Sequence, residues 1–571
     1  MKMLSAFGNS KSLVGWIALL LSVIALLVPL SGSQIVPGYS PTVLFDDPLF
    51  VITYLASLLL VGILWSKHGE SRAIAAFLVV LYSLLTIELW PFKTPGGNPL
   101  LGWYYYGIKE DNTFGLTNNI LQTGHLSFQG LQSWPSIFII AVECERVVGS
   151  NLGSAIATLD IIRAILTGLF SFLLIRHFVI SPKLAVVGTF LALISWRVIL
   201  VDTPFTLANY GVLFFFVITL LLLRLKAQES KHLITISLLM AACVITFPLS
   251  SFIAVIMVLF FAHKSKNHWL LPTSLLSIIL FLSWVAFAAI SSVEMFGIGN
   301  VIMLIFGEQN SLATQGIHSG LFFYFFQVLN EYVTSLPWGL GYFPLFWFFF
   351  VYVIGTLSWL LLKLRKTRSI PQTSVMAPIL LTTIPLVLSS PSGGSWTRIL
   401  FYLPPFLAVA MLTIMGCSNV GRRSGAVIAL VLFLTMPTIV SYNETGSYTM
   451  AVYPQEVSAG GYLDAHFTLD NIYFGSGVVT LNYSLWKNFI LGITSSPFTP
   501  SQSDAYVTRV LQGFADSTSG SILITSPLFF LEYAHLFGQS SADVVQFEVY
   551  QAVISSDLVY TNGFTTISYA S

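Results

Sequence analysis

Charged residues are scarce in this chain. Asp, Glu, Lys and Arg make up only 9% of its 571 residues, whereas a soluble domain holds about 25%. Hydrophobic residues account for 55% of the sequence. The composition therefore excludes an ordinary soluble domain and predicts a polytopic α-helical membrane protein.

Other features are missing as well. The chain has only three cysteines, Cys144, Cys243 and Cys417, and their wide spacing defines neither a disulfide framework nor a metal site. The sequence contains no phosphate-binding Walker loop, no dinucleotide-binding glycine fingerprint and no clear Ser-His-Asp set. These absences argue against an ATP-driven pump and against an enzyme that uses a soluble nucleotide. No nucleic-acid partner is expected.

Long apolar runs dominate the first two-thirds of the sequence. A helix needs about 20 residues to cross the roughly 30 Å hydrocarbon layer of a membrane. The sequence predicts about 13 transmembrane helices, at 14–31, 49–65, 73–91, 159–178, 184–201, 207–223, 233–249, 251–263, 269–290, 342–362, 374–390, 399–416 and 424–441. The run at 251–263 is short for a span and shares Phe247-Pro248 with its neighbour, so 233–263 forms either a kinked pair or a re-entrant hairpin.

Basic residues orient these helices. With a cytoplasmic N-terminus, 17 of the 25 Lys and Arg residues fall in the N-terminal segment and the inner loops, and every inner loop is basic. Cytoplasmic loops carry the excess of Lys and Arg in membrane proteins, so this orientation is predicted. A secretory signal peptide at the N-terminus is the less favoured alternative, because 14–32 is long for a signal core and lacks a clear cleavage pattern.

The predicted topology gives a multi-pass plasma-membrane protein with two domains. Residues 1–441 form the transmembrane domain, which includes an outer loop at 92–158, and residues 442–571 form an extracytoplasmic C-terminal domain. The tail is rich in Ser, Thr, Gly and Tyr and contains short apolar stretches, which is typical of a small mixed α/β domain. Two potential glycosylation sites, Asn443 and Asn482, agree with an external tail.

The outer loop at 92–158 holds the most informative residues. Lys109, Glu110 and Asp111 are followed by two segments with helical patterns, at 116–123 and 137–148. Apolar and polar residues take opposite faces of the first segment, and both segments are too short to span a membrane. We therefore expect a cap that lies on the membrane surface, with carboxylates at its start.

This order of parts resembles the C-type (GT-C) membrane glycosyltransferases, a superfamily that includes protein O-mannosyltransferases, aminoarabinose transferases and oligosaccharyltransferases. In that superfamily an acidic pair in the first outer loop is followed by an interfacial helix, a small-residue turn, a second helix begun by proline, a Phe-Gly-like turn and an arginine at the head of the next span. The similar elements here are Glu110-Asp111, 116–123, Gly124-His125, Trp134-Pro135, Val148-Gly149 and Arg163.

Two further stretches carry the resemblance. The segment 396–405, which contains Arg398 and Tyr402, is similar to the Arg-aromatic-Leu-Pro sequence that leads into a late helix of the superfamily. The end of the tail, 559–569, looks like the end of the external domain in archaeal-type members. The chain departs from the pattern in having two extra spans before the acidic loop and no Trp-Trp-Asp motif, which argues against transfer of a whole oligosaccharide.

The resemblance implies an inverting-type glycosyltransferase that moves a hexosyl or pentosyl group from a polyprenyl- or dolichyl-phosphate donor to an extracytoplasmic lipid, glycan or protein acceptor. Such a transfer needs a carboxylate that deprotonates the acceptor hydroxyl and a cation that stabilises the departing phosphate. Asp111 or Glu110 is the candidate base, and Arg163 or Arg398 is the candidate phosphate clamp. Other candidate substrate-binding residues are Lys109, His125 and Tyr402.

A divalent cation, Mg or Mn, is a candidate cofactor. Asp202 lies in the predicted second outer loop, where metal-dependent members of the superfamily keep another acidic motif. If Asp202 converges with Glu110 or Asp111, their oxygens provide ligands for such an ion. A lone aspartate also commonly ends a helix, so both interpretations of Asp202 remain open.

Plainer interpretations compete with catalysis. An acidic pair in an aqueous loop is a solvated turn in most proteins, and Asp160 and Arg163 are spaced to neutralise each other on one helix face. The alternative to an enzyme is a non-catalytic GT-C-like membrane scaffold or a transporter. A transporter should contain internal repeats and charged, broken helices at the membrane midplane. No clear repeat is found, and the acidic residues cluster in predicted outer segments, which favours the enzyme.

Overall fold

The structure is a computed structural model of the chain. It describes residues 117, 120–126, 134–149, 152–179, 181–199, 207–225, 233–265, 270–288, 350–364, 379, 401–416, 462, 472–475, 521–525, 557–561 and 566–570. These residues form a bundle of α-helices and a four-stranded sheet.

The first seven helices follow one another through short connections. Their bounds are α1 (Ser136–Val148), α2 (Leu152–Phe178), α3 (Pro182–Ile199), α4 (Leu207–Arg224), α5 (Leu233–Val244), α6 (Pro248–Ser265), α7 (Leu270–Phe287), α8 (Gly355–Leu364) and α9 (Pro404–Gly416). A π-helical turn, Phe350–Ile354, leads directly into α8.

Most predicted spans that fall on described residues coincide with a helix to within a few residues. The main difference is α2, which begins at Leu152, seven residues before the predicted span at 159–178. The added turns are helical because Ala155 and Ile156 bury apolar surface there. The predicted spans at 14–31, 49–65, 73–91 and 424–441 lie outside the described residues, and only Ile379 of 374–390 lies within them.

Two described helices, α4 and α7, are long and apolar enough to cross a membrane. Most of α4 is buried, and it packs against α2, α5 and α6. Only 28% of α7 is buried, and Leu271, Leu275, Ile279 and Leu282 are exposed along one side. Spacings of three and four residues place these side chains on one face, which is the surface expected to meet lipid in a membrane protein.

The directions of α2, α3 and α9 follow from one close contact. Gly188 lies near the start of α3, and a Cβ atom at this position would stand 2.5 Å from Leu412 Cδ1 and 3.1 Å from Ile175 Cγ2. Ile175 is near the end of α2, and Leu412 is near the end of α9. Both helices therefore end beside the start of α3, so α2 and α9 run in the same direction and α3 runs opposite to them.

The starts of α4, α6 and α9 meet at one end of the bundle, termed here the upper end. Gly211 of α4 lies close against Phe247 and Ser250, and the Ser250 hydroxyl is hydrogen bonded to the Tyr402 hydroxyl at 2.5 Å. Because α2 runs parallel to α9, it also starts toward the upper end. The predicted topology puts the starts of these four helices on the outer side of the membrane.

The segment 233–263 is two helices joined by a sharp turn at 245–247. The Ser251 hydroxyl donates a hydrogen bond to the Cys243 carbonyl oxygen at 2.7 Å. In one continuous helix, residues eight positions apart are separated by about 12 Å along the axis. The contact therefore excludes a single continuous helix through this segment. The α5 helix has 12 residues, so its length of about 18 Å is less than the hydrocarbon layer.

The α1 helix is the second of the two predicted interfacial helices, and its N-terminal end docks on the α5–α6 turn. The Ser136 backbone N–H donates to the Ile245 carbonyl oxygen at 3.3 Å, and the Ser136 hydroxyl donates to Thr246 Oγ1 at 2.7 Å. Trp134 and Phe138, each two residues from Ser136 in the sequence, are fully buried. The helix ends at Gly149, whose φ of 66° lies in the left-handed region.

The tail contributes a mixed sheet of four strands. These are β1 (Ile472–Gly475), β2 (Ser521–Thr525), β3 (Asp557–Thr561) and β4 (Thr566–Ala570), in the order β1-β2-β4-β3. The β1 and β2 strands are parallel, whereas β4 is antiparallel to both of its neighbours. The apolar stretches of the predicted C-terminal domain are thus strands. The limits of that domain and its side of the membrane stay predictions.

Candidate functional site

Arg163 is buried inside the bundle. Only 4% of its surface is exposed, although it belongs to an otherwise apolar helix. The sequence placed it at the head of a span, but α2 begins eleven residues earlier at Leu152, about 16 Å along the helix axis. The prediction that Arg163 lies at the head of a span is therefore wrong, because α2 begins earlier than the predicted span and Arg163 falls inside the helix. A charge so little exposed needs compensating groups nearby.

Thr167 and Ser171 follow Arg163 at intervals of four residues. They are 2% and 1% exposed, and a spacing of four puts all three side chains on one face of α2. Neither hydroxyl has a hydrogen-bond partner within the part of the chain that the structure describes. Neither residue was among the sequence candidates. The regular spacing of polar residues in an apolar helix was the available signal.

Tyr402 connects three helices through its contacts. It is fully buried before α9, its hydroxyl is bonded to Ser250 of α6, and its ring meets Phe215 of α4 edge to face at 5.0 Å between ring centres. The structure therefore gives Tyr402 a role in packing. The predicted contact between Tyr402 and substrate stays a prediction.

Arg163 and Tyr402 both lie toward the upper end of the bundle. The α2 and α9 helices run in the same direction. Ile175 of α2 and Leu412 of α9 both contact the region around Gly188, so these two residues lie at the same height in the bundle. Arg163 precedes Ile175 by 12 residues, or about 18 Å of helix. The α9 helix begins at Pro404, two residues after Tyr402, and gives about 12 Å of helix before Leu412. The structure thus brings these two candidates toward the same upper end.

His125 is the remaining candidate that the structure describes. It is exposed and follows Gly124, where the helical residues 120–123 end. The His125 backbone N–H donates to Thr123 Oγ1 at 3.2 Å, a local contact that shapes the turn. This agrees with the predicted turn after the first interfacial helix, and a role of His125 as a base stays a prediction.

The other candidate residues lie outside the described residues, so their positions relative to Arg163 stay predictions. They are Lys109, Glu110, Asp111, Asp202 and Arg398. The predicted pairing of Asp160 with Arg163 likewise stays a prediction. An ion pair is seen on α1, where Arg146 approaches Glu143 at 3.6 Å, and both side chains are exposed. Exposed pairs of this kind contribute little to stability.

No metal site is found among the described residues. That part of the chain contains no group of three or more His, Cys, Asp or Glu side chains placed to hold an ion. Cys144 and Cys243 are free thiols. The candidate metal ligand Asp202 is not described, so a divalent cation stays a prediction.

The bundle therefore combines two helices long enough to cross a membrane with a buried arginine and buried hydroxyls. Solved structures with a similar fold include ArnT from Cupriavidus metallidurans in the apo state, with 12% identity and a TM-score of 0.46 over 87% of this chain and 98% of that one. The same enzyme bound to undecaprenyl phosphate gives 11% identity and a TM-score of 0.45, over 87% and 97% of the two chains.

A second similar protein is the oligosaccharyltransferase of Archaeoglobus fulgidus, solved in complex with Zn and sulfate. It has 13% identity and a TM-score of 0.46, over 87% of this chain and 73% of that one. At these identities and TM-scores the likeness assigns no substrate and no site residue to this chain. No family model matches the sequence, and no curated protein matches it.

Proposed function

We propose that this chain is a membrane glycosyltransferase. It takes a sugar from a polyprenyl- or dolichyl-phosphate donor and places it on a lipid, glycan or protein acceptor outside the cytoplasm. The observation that carries the proposal is Arg163, which is 4% exposed within an apolar helix. Ionisable residues inside membrane bundles are costly and usually serve a ligand or a pathway. A lipid phosphate supplies an anion that matches a guanidinium.

The reaction needs a base as well as a cation. Asp111 or Glu110 removes the proton of the acceptor hydroxyl, and the acceptor oxygen forms a bond to the anomeric carbon of the sugar. The bond from that carbon to the phosphate oxygen breaks, and the lipid phosphate leaves with the electron pair. Arg163, with Arg398, stabilises the negative charge on the phosphate. Attack from the face opposite the phosphate inverts the configuration at the anomeric carbon.

The proposal includes a definite topology. The chain crosses the plasma membrane many times, its N-terminus is cytoplasmic, and residues 442–571 lie outside. This arrangement puts the acidic loop and the upper end of the bundle on the side where the acceptor is found. A divalent cation held by Asp202 would add positive charge beside the phosphate. The partners are the lipid-linked donor, the external acceptor and the surrounding membrane lipids.

The test is transfer of radiolabelled sugar by the purified protein from a panel of polyprenyl-phosphate donors. We expect Asp111→Asn or Glu110→Gln to lower the rate by about 10²- to 10⁴-fold, the usual contribution of a positioned base. Arg163→Gln should abolish detectable transfer, because the leaving phosphate loses its buried counter-charge. Circular dichroism and size-exclusion profiles identify variants that fail to fold.

Arg146→Gln is the matched control. Arg146 is also an arginine of the predicted outer segments, but its side chain is exposed on α1 and pairs with Glu143. Its loss should change the transfer rate by less than about twofold, as expected for an exposed ion pair. Absence of transfer by the wild type across the donor panel would favour the non-catalytic scaffold or the transporter. Equal rates in both carboxylate variants and the wild type would place the base elsewhere.

A further inference from the structure

The outer loop that carries the candidate carboxylates is attached to the bundle at two places. Thr117, six residues after Asp111, is fully buried, and Ile120 belongs to the apolar core. The second place is the start of α1, where Ser136 and Phe138 are also buried. The opposite end of α1 is exposed. The loop is thus held through the half of α1 that adjoins it in the sequence.

Two hydrogen bonds to consecutive residues fix the start of α1. The Ser136 backbone N–H donates to the Ile245 carbonyl oxygen, and the Ser136 hydroxyl donates to Thr246 Oγ1. Thr246 is fully buried, and its own hydroxyl donates to the Ala242 carbonyl oxygen at 2.6 Å. A hydroxyl has one hydrogen, so the Thr246 oxygen is left to accept. The bond to Ala242 therefore sets the direction of the bond from Ser136.

The α5–α6 turn that receives these bonds is itself held in place. The Cys243 carbonyl oxygen accepts from the backbone N–H groups of Thr246 and Phe247, at 3.1 and 3.2 Å. It also accepts from the Ser251 hydroxyl at 2.7 Å. Just beyond the turn, Ser250 is bonded to the segment before α9. The turn is therefore a fixed point at the upper end of the bundle.

Apolar burial holds α1 on the bundle without defining its exact position. The hydrophobic effect is non-directional, so it changes little when a helix shifts or rotates slightly. Hydrogen bonds weaken steeply when their angle departs from its preferred value. Ser136 makes two such bonds, to neighbouring residues of the turn. These bonds determine both where α1 starts and how it is rotated about its axis.

We propose that Ser136 and Thr246 are positioning residues for sugar transfer. Their hydrogen bond fixes the outer loop to the α5–α6 turn, and so keeps the carboxylates of the loop correctly placed relative to Arg163 in the helix that follows α1. This inference rests on the proposed function. A base must stand within hydrogen-bond reach of the acceptor hydroxyl. A misplacement of about 1 Å can lower the rate of such a reaction by about 10²-fold.

The test measures kcat, and KM for the lipid-linked donor, in the wild type and in variants of the two residues. Thr246→Val keeps the shape of the side chain but removes the acceptor, and kcat should fall by about 10- to 100-fold. KM should change by less than about twofold, because the lost interaction acts only in the transition state. Ser136→Ala keeps the backbone bond and should show a smaller fall in kcat. Thr246→Ser restores the hydroxyl and should return kcat to within about twofold of the wild type.

Thr219→Val is the matched control. Thr219 is fully buried in α4, its hydroxyl donates to the Phe215 carbonyl oxygen at 2.8 Å, and its Oγ1 approaches Met257 Sδ of α6 at 3.2 Å. Like Thr246, it bonds within its own chain segment and to a second element, but that element is α6 and not the outer loop. We expect both valine variants to lower the thermal midpoint, since each loses a buried hydrogen bond. Only Thr246→Val should lower kcat.

Pulsed electron paramagnetic resonance measures the position of α1 without requiring turnover. One spin label is attached to Cys144 of α1 in a variant that lacks the other two cysteines. The second is attached at Phe287→Cys, a position 93% exposed at the end of α7. We expect one narrow distance distribution in this background, a broader or displaced one when Thr246→Val is added, and no change with Thr219→Val.

Three results would overturn the inference. One is an unchanged kcat in Thr246→Val. Another is an equal fall of kcat in Thr219→Val, which would assign the effect to lost stability. The third is a lower kcat in Thr246→Val with an unchanged distance distribution, because Thr246 would then act by another route than the position of α1. Absence of transfer by the wild type across the donor panel would instead reject the proposed function itself, and the role of Ser136 and Thr246 with it.

Discussion

At the scale of single residues, buried hydroxyls of this bundle have different roles. Those of Ser250 and Tyr402 bond to each other and link α6 to the segment before α9. Those of Thr167 and Ser171 have no partner in the described part of the chain. The first arrangement stabilises the bundle, whereas the second leaves two buried hydroxyls unsatisfied.

The bond between Ser250 and Tyr402 predicts a non-additive pair of substitutions. Tyr402→Phe keeps the ring against Phe215 but removes the hydroxyl, and Ser250→Ala removes its partner. Each change should lower the free energy of unfolding by about 1 to 3 kcal/mol, because it leaves a buried hydroxyl unsatisfied. The double variant should be no less stable than the weaker single variant. Thermal or denaturant unfolding of the four proteins measures this cycle.

Additive losses in the double variant would contradict this prediction, since they would mean that the two hydroxyls act independently. Arg146→Gln again serves as the control for the measurement. Its exposed pair with Glu143 should contribute no more than about 0.5 kcal/mol.

At the scale of secondary structure elements, glycines set how closely the helices approach. Gly211 allows α4 to meet the start of α6, and Gly188 allows α3 to meet α2 and α9. The sequence predicted most of the helices that meet there, since apolar runs and basic connections mark them. It did not predict which glycines would lie at the contacts, because that depends on residues distant in the chain.

The surroundings of these glycines predict different effects of alanine. At Gly211 the new methyl group would stand 2.8 Å from Phe247 Cβ, an atom fixed to the backbone, and would also press on Ser250. At Gly188 its closest neighbour would be the terminal Cδ1 of Leu412, which can rotate away. Gly211→Ala should therefore lower the free energy of unfolding by about 2 to 3 kcal/mol, and Gly188→Ala by about 1 kcal/mol or less.

Unfolding midpoints of the two alanine variants in the same detergent measure this difference. A larger loss at Gly188 than at Gly211 would contradict the prediction. It would mean that Ile175 and Leu412 are held more rigidly against Gly188 than Phe247 and Ser250 are against Gly211.

At the scale of the whole molecule, the described contacts agree in direction with the predicted topology. The helices α2, α4, α6 and α9 start toward one end, and the predicted spans that they match all run from outside to inside. The α1 helix, which belongs to the predicted outer loop, docks at this same end on the α5–α6 turn. Which side of the membrane this end faces is a prediction from the basic loops.

Cysteine labelling tests that orientation. Cys144 lies on α1 and is partly exposed, whereas Cys243 is buried. In a variant that retains Cys144 alone, with Cys243→Ala and Cys417→Ser, a membrane-impermeant maleimide added to intact cells should label the protein, because the thiol is accessible from outside. Labelling that requires permeabilised cells would reverse the predicted orientation. A variant that retains Cys243 alone is the control and should resist labelling from either side.

The sequence by itself predicted the membrane class, most of the described helix positions and the apolar stretches that form strands β2 and β3 of the tail, because these depend on local composition and periodicity. It also indicated Arg163 and the turn at Gly124-His125. Only the tertiary structure decided that Arg163 is buried with two unsatisfied hydroxyls below it, and that Tyr402 bonds to Ser250, 152 residues away. Burial and partners are properties of packing between distant segments, and no local pattern specifies which segments meet.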